Sequence, residues 1–518
     1  MGWTRDESLR RIRQLQENVP EGKIQVKRWG GQEILQRRAA IKSMRDARRG
    51  DEPVIFNVRP SEAVVVEAVH VYARLLDFHD AMMQGGQETE ASHARALQLL
   101  HLHYSGCDRV IETFEAQRVD FHGGRLHAVV VSPGGSEGAR ERAEKALELA
   151  YALKRTIEEA SEQISRGQFR SRVRIGMDSG TAVAVNSGRG SEPEPLFLGS
   201  PANYAAKLAD GDQPGIYPSD NVRRDLSMRR LVRDLSVERS FDVTEEARVR
   251  SAAGSTTTIE AEVKSIVDAL GVAPELSYFA SPAVFEFHRH EPPLRSIDFQ
   301  ALMPSNSIRM PVASIFADLD GFTRYVDRCI DEGRIEEMVA NLHVIRGELG
   351  QTLKHDAGGR KVRYIGDCLH GLIAAGSRTV TDEPATVAAA VEAAAGMRSS
   401  FELCKSVLSG AEDLGLAIGI ELGATPITRL GLRGDRSVRC AASRAVSASE
   451  QLQDGCNGEE TALGPLALGR ASASIRRLFI GGIATGLDAG AVDDLLAAPA
   501  VVTSGSISRT AQPYAKKV

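Results

Sequence analysis

Two short stretches of this chain place carboxylates where an apolar strand gives way to a turn. Phe316-Ala317-Asp318-Leu319-Asp320-Gly321-Phe322-Thr323 sets Asp318 at the end of one strand, with a helix expected from Gly321 onward. Val362-Arg363-Tyr364-Ile365-Gly366-Asp367 sets Asp367 in a turn between two strand-like stretches. Carboxylates on neighbouring strand ends suit a pair of divalent ions of the Mg²⁺ or Mn²⁺ kind, because hard cations take oxygen ligands. The amides of Gly321, Phe322 and Thr323 at a helix start suit a polyphosphate. Taken singly, an Asp at either place is more often a helix cap or a turn former.

Holding these groups requires strands, and the chain supplies them twice. Residues 63–73 form a β-branched run of strand character, followed by a helical stretch at 74–83 and a loop with Gly85-Gly86. A long helix is expected over 90–115, then two strands flanking Gly123-Gly124 within 119–132. An amphipathic helix over 141–164 and a strand over 172–185 follow. Pro292-Pro293 and Pro304 mark a linker, and a second apolar strand runs over 312–316. The same order then repeats. Leu126-His127 answers Leu369-His370, and the Ile-Gly-Met-Asp-Ser-Gly ending at Gly180 answers the Ile-Gly-Ile-Glu-Leu-Gly ending at Gly423. Arg74 and Asp318, Gly124 and Asp367, Gly180 and Gly423, and Asn203 and Ser447 all lie 243 or 244 residues apart. The chain therefore holds two copies of one α+β unit. The expected division is a basic helical segment at 1–58, a first domain at 59–285, a linker at 286–310, a second domain at 311–470 and an extension at 471–518.

Bulk properties agree with a multidomain globular protein. A length of 518 residues suits two or three domains at roughly 150 residues each. A net charge of −5 gives no global basic field, so nucleic acid is not an expected partner. The first fifty residues carry 13 Lys/Arg against 6 Asp/Glu, read here as a solvated helical face. Six cysteines without paired-ligand spacing read as reduced thiols in a cytoplasmic protein. No stretch reaches the ~20 apolar residues of a membrane helix, the start lacks an apolar signal region, and Asp6 breaks a myristoylation pattern, so no membrane partner is expected.

The two aspartate stretches resemble the metal-aspartate motifs of class III nucleotidyl cyclases. Gly199-Ser-Pro-Ala-Asn203-Tyr-Ala-Ala-Lys207 resembles that family's Gly-x-x-x-Asn-x-x-x-Arg helix. The resemblance implies two tandem cyclase domains, each with a ferredoxin-like βαββαβ core, pairing as an internal pseudo-heterodimer. Family sites lie between two such domains, one giving the aspartates and the other Asn and Arg. Here the losses are complementary: the second copy keeps Asp318 and Asp367 but carries Ser447 and Gln451. The first keeps Asn203 and a basic Lys207 but carries Arg74 and Gly124. One complete site and one dead site follow without a partner chain, so a monomer is expected, with a homodimer left open. The resemblance further implies that Asp318, Asp367 and the Leu319 carbonyl hold two Mn²⁺ or Mg²⁺ ions. The ribose 3′-oxygen then attacks the α-phosphorus in line and pyrophosphate leaves. Asn203 orients the ribose, Lys207 meets the developing phosphoryl charge, and Gly321, Phe322 and Thr323 bind the triphosphate. The family's other triphosphate-binding Arg, expected near Glu459, is missing.

In the family, base choice rests on positions that here hold Asp120 and Leu196. The pair matches neither adenylate cyclases (Lys with Asp or Thr) nor guanylate cyclases (Glu with Cys). A carboxylate accepts hydrogen bonds, so Asp120 could take uracil N3–H, the cytosine amino group or the guanine N1–H edge, while Leu196 fills space. A divergent class III cyclase with a nonpurine pocket resembles the pyrimidine cyclases of bacterial Pycsar anti-phage systems. Their cyclic UMP or cyclic CMP switches on a separate effector. UTP is placed ahead of CTP. A drifted guanylate or adenylate cyclase and a catalytically dead nucleotide sensor stand as alternatives. His288-Arg-His290-Glu291 and His101-Leu-His103 lack a third ligand for zinc, no phosphate loop or nucleophile elbow is present, and Asp320 is read as a cap or turned away from the metals. The tail after Ser472, rich in Ala, Gly and Ser, is expected to be partly mobile.

Overall fold

The computed structural model describes residues 2–18, 24–46, 58–59, 61–164, 171–186, 194–228, 256–272, 285–432 and 437–497. The β-branched run of the first copy becomes β2 (Glu62–Leu75), largely buried on both faces, as a central strand must be. Strand β1 (Gln25–Arg28) pairs in parallel with its first residues. The helix Glu90–Thr113, the hairpin β3 (Gln117–His122) and β4 (Arg125–Val130), the helix Ala139–Gln163 and β5 (Val173–Asn186) complete a βαββαβ core. Then come β6 (Pro195–Leu198), the helix Ser200–Leu208 and β7 (Gly215–Pro218). The sheet order is β3-β4-β2-β5-β6, with β1 beside β2 and β7 beside β5.

The second copy repeats this plan. It comprises β8 (Phe287–His288), β9 (Ser307–Asp320), the helices Phe322–Asp331 and Ile335–Gln351, β10 (Arg360–Ile365) and β11 (Cys368–Ile373). The helix Glu383–Val407, β12 (Gly415–Leu430), β13 (Val438–Ala441), the helix Arg444–Asp454, β14 (Glu460–Leu463) and β15 (Ile483–Thr485) follow. The order is β10-β11-β9-β12-β14-β15, with β8 beside β9 and β13 beside β12. Tyr72 stacks on His127 with ring centres 4.1 Å apart, and Phe316 stacks on His370 at 4.3 Å, so the repeated histidine serves the same packing in both.

The repeated Ile-Gly has a packing cause. A side chain at Gly176 would run into the Ala205 carbonyl, and one at Gly419 into the Ser449 carbonyl. Only glycine lets the helices Ser200–Leu208 and Arg444–Asp454 lie this close against β5 and β12. That close approach sets the helix carrying Asn203.

The two copies interlock. Ala63, Val65, Val183 and Leu198 of the first share one apolar core with helices of the second, while Leu430, Cys440 and Ala442 of the second enter the core of the first. Helix starts leave backbone N–H groups without intrahelical partners, and each copy supplies a carboxylate to the other. The Ser200 amide donates to Asp327 Oδ1 at 3.0 Å, and the Arg444 amide to Glu88 Oε1 at 2.7 Å.

Several expectations change. The basic N-terminal segment keeps Arg5, Arg10 and Arg13 in solvent as expected, but it is also docked: the helix Arg5–Asn18 buries Ile12 and Leu15 against the second copy, and Arg11 donates to Glu348 at 2.7 Å and Asp356 at 2.8 Å. A charge count cannot see partners more than 300 residues away. The stretch 286–310 is no free linker, since β8 pairs with β9 and Leu294, Ile297, Phe299 and Leu302 are core residues. The second domain's first long strand starts at Ser307, and β15 adds the 471–497 stretch to the same sheet. The helix expected over 74–83 shrinks to Phe78–Ala81, because β2 continues through Leu75. Residues 498–518, part of the tail expected to be mobile, lie outside the described residues.

Candidate active site

Strand β9 delivers Asp318 near its C-terminal end, and the turn between β10 and β11 delivers Asp367. Gly321, in the left-handed region at φ 79°, turns β9 directly into the helix Phe322–Asp331. The Leu319 backbone N–H favours the ionised form of both carboxylates, a smaller effect than their burial. Both hold protons more tightly than an ordinary aspartate. Burial is the main cause for each, with Asp454 and Asp320 adding to it at Asp318 and Asp318 adding to it at Asp367. Two crowded carboxylates with unmet negative charge fit a divalent cation. Among the described residues no three Asp, Glu, His or Cys side chains gather as a complete metal cluster. Two carboxylates alone would leave most positions of a Mg²⁺ or Mn²⁺ ion to water and phosphate. Asp320 also borders the cavity and accepts from the Gly458 amide at 3.0 Å.

These groups open onto a cavity of about 1080 Å³ between the two copies. Asn203, Asp120 and Leu196 line it from the first copy, and Asp318, Asp367, Gly321, Phe322 and Thr323 from the second. Asn203 Nδ2 donates to Thr323 Oγ1 at 2.8 Å, joining the two halves at the cavity wall. Glu194, just before β6, pairs with Lys361 of β10 at 2.9 Å and holds the strand bearing Leu196 against the second copy. Lys207, one turn after Asn203 on the same helix, is exposed and does not border the cavity. Several arginines that the sequence reading passed over do border it, among them Arg324 and Arg346. Arg324 follows the Gly321-Phe322-Thr323 turn directly, a placement the sequence could have signalled. Arg346 lies on the helix Ile335–Gln351 with its guanidinium 3.9 Å over the Tyr364 ring, which no local pattern reveals.

The pseudo-symmetric half of the cavity is filled differently. Arg74 stands where Asp318 stands in the other copy, and its Nη1 donates to the Asp210 carbonyl at 2.8 Å. Arg125 pairs with Glu450 at 2.5 Å and Asp210 at 3.1 Å, and His122 lies 3.3 Å from Glu450. Burial pushes Glu450 up, but His122 and Arg125 outweigh it and hold the carboxyl at about 2. This half carries its own cations.

No family model matches the chain. Compared with individual proteins, it is 53% identical over 526 residues to a uridylate cyclase of a Rhizobium species, with 99% of both chains covered. The chain belongs to the uridylate cyclase family. A second uridylate cyclase, from Pseudomonas aeruginosa, is 38% identical over 433 residues, covering 82% of this chain and 81% of that one. The crystal structure of a class III adenylyl cyclase-like ATP-binding protein from Pseudomonas aeruginosa superposes with a TM-score of 0.83 at 34% identity. It covers 96% of this chain and 100% of that chain. The uridylate cyclase family thus joins the class III cyclase-like fold expected from the aspartate motifs.

Proposed function

We propose that this chain converts UTP to 3′,5′-cyclic UMP and pyrophosphate. The observation that carries the reading is one cavity holding Asp318 and Asp367 from one copy and Asn203, Asp120 and Leu196 from the other, in a chain 53% identical to a uridylate cyclase. Asp318, Asp367 and the Leu319 carbonyl would hold divalent ions, which would supply Lewis-acid activation of the ribose 3′-hydroxyl and neutralise charge on the triphosphate. Asn203, fixed by Thr323, orients the ribose so that its 3′-oxygen lines up with the α-phosphorus. The Gly321–Thr323 turn and Arg324 bind the phosphate tail, and Arg324 takes the place of the family arginine missing near Glu459. Asp120 accepts from the base, and Leu196 limits the room beside it. Lys207, facing solvent, has a minor part.

The same proposal includes a cytoplasmic protein, monomeric through its internal pairing, whose cyclic product acts on a separate effector in anti-phage defence. Its support is the resemblance to Pycsar cyclases. Among the described residues no helix is long and apolar enough to cross a membrane. The test is incubation of the purified protein with all four ribonucleoside triphosphates and Mn²⁺, read by mass spectrometry. Cyclic UMP is the expected product. Cyclic CMP as the main product would move the base assignment to cytosine, and cyclic AMP or cyclic GMP would sink the pyrimidine assignment. The ATP arm matters because the structural relative is described as ATP-binding. No cyclic product with either metal would sink the cyclase reading.

A further inference from the structure

Asp120 does not stand alone at the cavity wall. Arg363 Nη1 donates to Asp120 Oδ1 at 2.5 Å and also to the Phe121 carbonyl, while Nη2 donates to the Arg439 carbonyl. Arg363 is 8% exposed. The partners are 243 residues apart, which is the repeat spacing itself. Position by position, Arg363 is the copy of Asp120. Asp120 pairs with His127 across the first hairpin, and Arg363 pairs with His370 across the second. A β-bulge precedes each of them, between Arg118 and Asp120 and between Lys361 and Arg363. Bulges re-aim side chains, and here both aim toward the pseudo-twofold axis, where the two meet.

The second oxygen, Asp120 Oδ2, is buried and has no hydrogen-bond partner, although its side chain borders the cavity. A buried carboxylate oxygen without a donor is costly, so Oδ2 is left to meet an incoming N–H while Arg363 keeps the other oxygen. We infer that Arg363 is a positioning residue for base selection: it holds Asp120 in one orientation, so that the first copy presents a fixed hydrogen-bond acceptor to the base. This inference rests on the uridylate cyclase reading. Uracil offers a donor at N3, whereas cytosine has only a lone pair there and carries its donor on the neighbouring amino group, so a carboxylate fixed in one orientation meets the uracil donor and not the displaced cytosine one. A charge on the axis also decides which half reads the base, since an exchange of the two residues would move the carboxylate to the other copy.

The test is a competition assay with equal UTP and CTP, reporting the ratio of cyclic UMP to cyclic CMP for folded wild type, Arg363→Lys, Arg363→Gln and the exchange Asp120→Arg/Arg363→Asp. Wild type making cyclic UMP establishes the underlying reading; wild type making none sinks that reading whatever the variants do. Given cyclic UMP from wild type, the ratio is expected to fall at least tenfold in Arg363→Gln and severalfold in Arg363→Lys, which keeps the charge but loses the fork. The exchange restores an ion pair on the axis and so separates packing from positioning. It is expected to melt near the wild-type temperature and still lose selectivity at least tenfold. Wild-type selectivity in the exchanged variant would overturn the inference, as would a ratio within twofold of wild type in Arg363→Lys and Arg363→Gln. Should Arg363→Gln fail to fold, the exchange and Arg363→Lys decide.

Discussion

The two halves of the central cavity began as the same structure and now solve opposite electrostatic problems. On one side, Asp318 and Asp367 crowd negative charge, and among the described residues no side-chain cation is bonded to either. On the other, Arg74 and Arg125 meet Asp210 and Glu450, and the ledger of charge is closed within the protein. The open side gives up stability to keep a place for cations; the closed side gives up chemistry and ties the copies together. Arg125 and Glu450 come from different copies, so the closed half is part of the interface that aligns the open one.

The largest effect should come from breaking the open side. Asp318→Asn or Asp367→Asn is expected to lower turnover about 10³-fold, the several kcal/mol attributed to metal-held charge in such steps. The same variants should melt higher than wild type in chelator at neutral pH. The sign follows from linkage: these carboxyls have folded pKa values raised above the ordinary 3.8, so the folded state binds more protons and wild-type stability falls as pH rises out of the range near 4. The stability gain of the Asn variants should therefore shrink on acidification toward pH 4. Mn²⁺ should raise the wild-type melting temperature and leave the variants unmoved. A melting temperature unchanged in chelator would sink the account of the open side.

Next in size is a contrast within one helix. Asn203→Ala is expected to lower kcat about 10²-fold, in line with loss of one placed donor, while Lys207→Ala, one turn on and facing solvent, stays within about threefold. Steady-state kinetics on the two proteins decides it, and equal losses would return Lys207 to the site. The smallest effect on rate belongs to the closed side. Glu450→Gln should change turnover by less than about threefold yet lower neutral-pH stability by on the order of 2–3 kcal/mol. Glu450 has a depressed folded pKa, so its contribution is present above the ordinary 4.5 and is lost as pH falls toward about 2. Urea melts at pH 7 and pH 3 should show the difference closing.

Legibility in the sequence followed the range of the interaction. Asp318, Asp367 and Asn203 stand at strand ends and on a helix, and their local signals survive because turns and helix starts are local devices. The duplication was readable because 243-residue spacing is arithmetic rather than conformation. Arg346 could not be found, since it reaches the cavity from the middle of an ordinary helix. The Asp120–Arg363 pair was hidden for another reason: Asp120 was read as a free acceptor, and its partner is its own repeat across an axis that exists only after folding. Lys207 follows Asn203 by one turn on the helix side that lines the cavity, yet its own side chain is exposed and does not border the cavity, which a motif position alone does not show. Residues 286–310 read as a linker because prolines mark breaks in regular structure, which are not breaks in packing.

The helix Arg5–Asn18 has a consequence in time. Trp3 Nε1 donates to Ser400 Oγ, 397 positions away, and Arg11 waits for Glu348 and Asp356. At ~5–20 residues per second of synthesis, the first helix leaves the ribosome roughly 20–80 seconds before its docking surface does. During that interval Ile12 and Leu15 have no native cover. The beginning of the chain is thus among the last parts to settle, and it closes over the second copy only after that copy has been made.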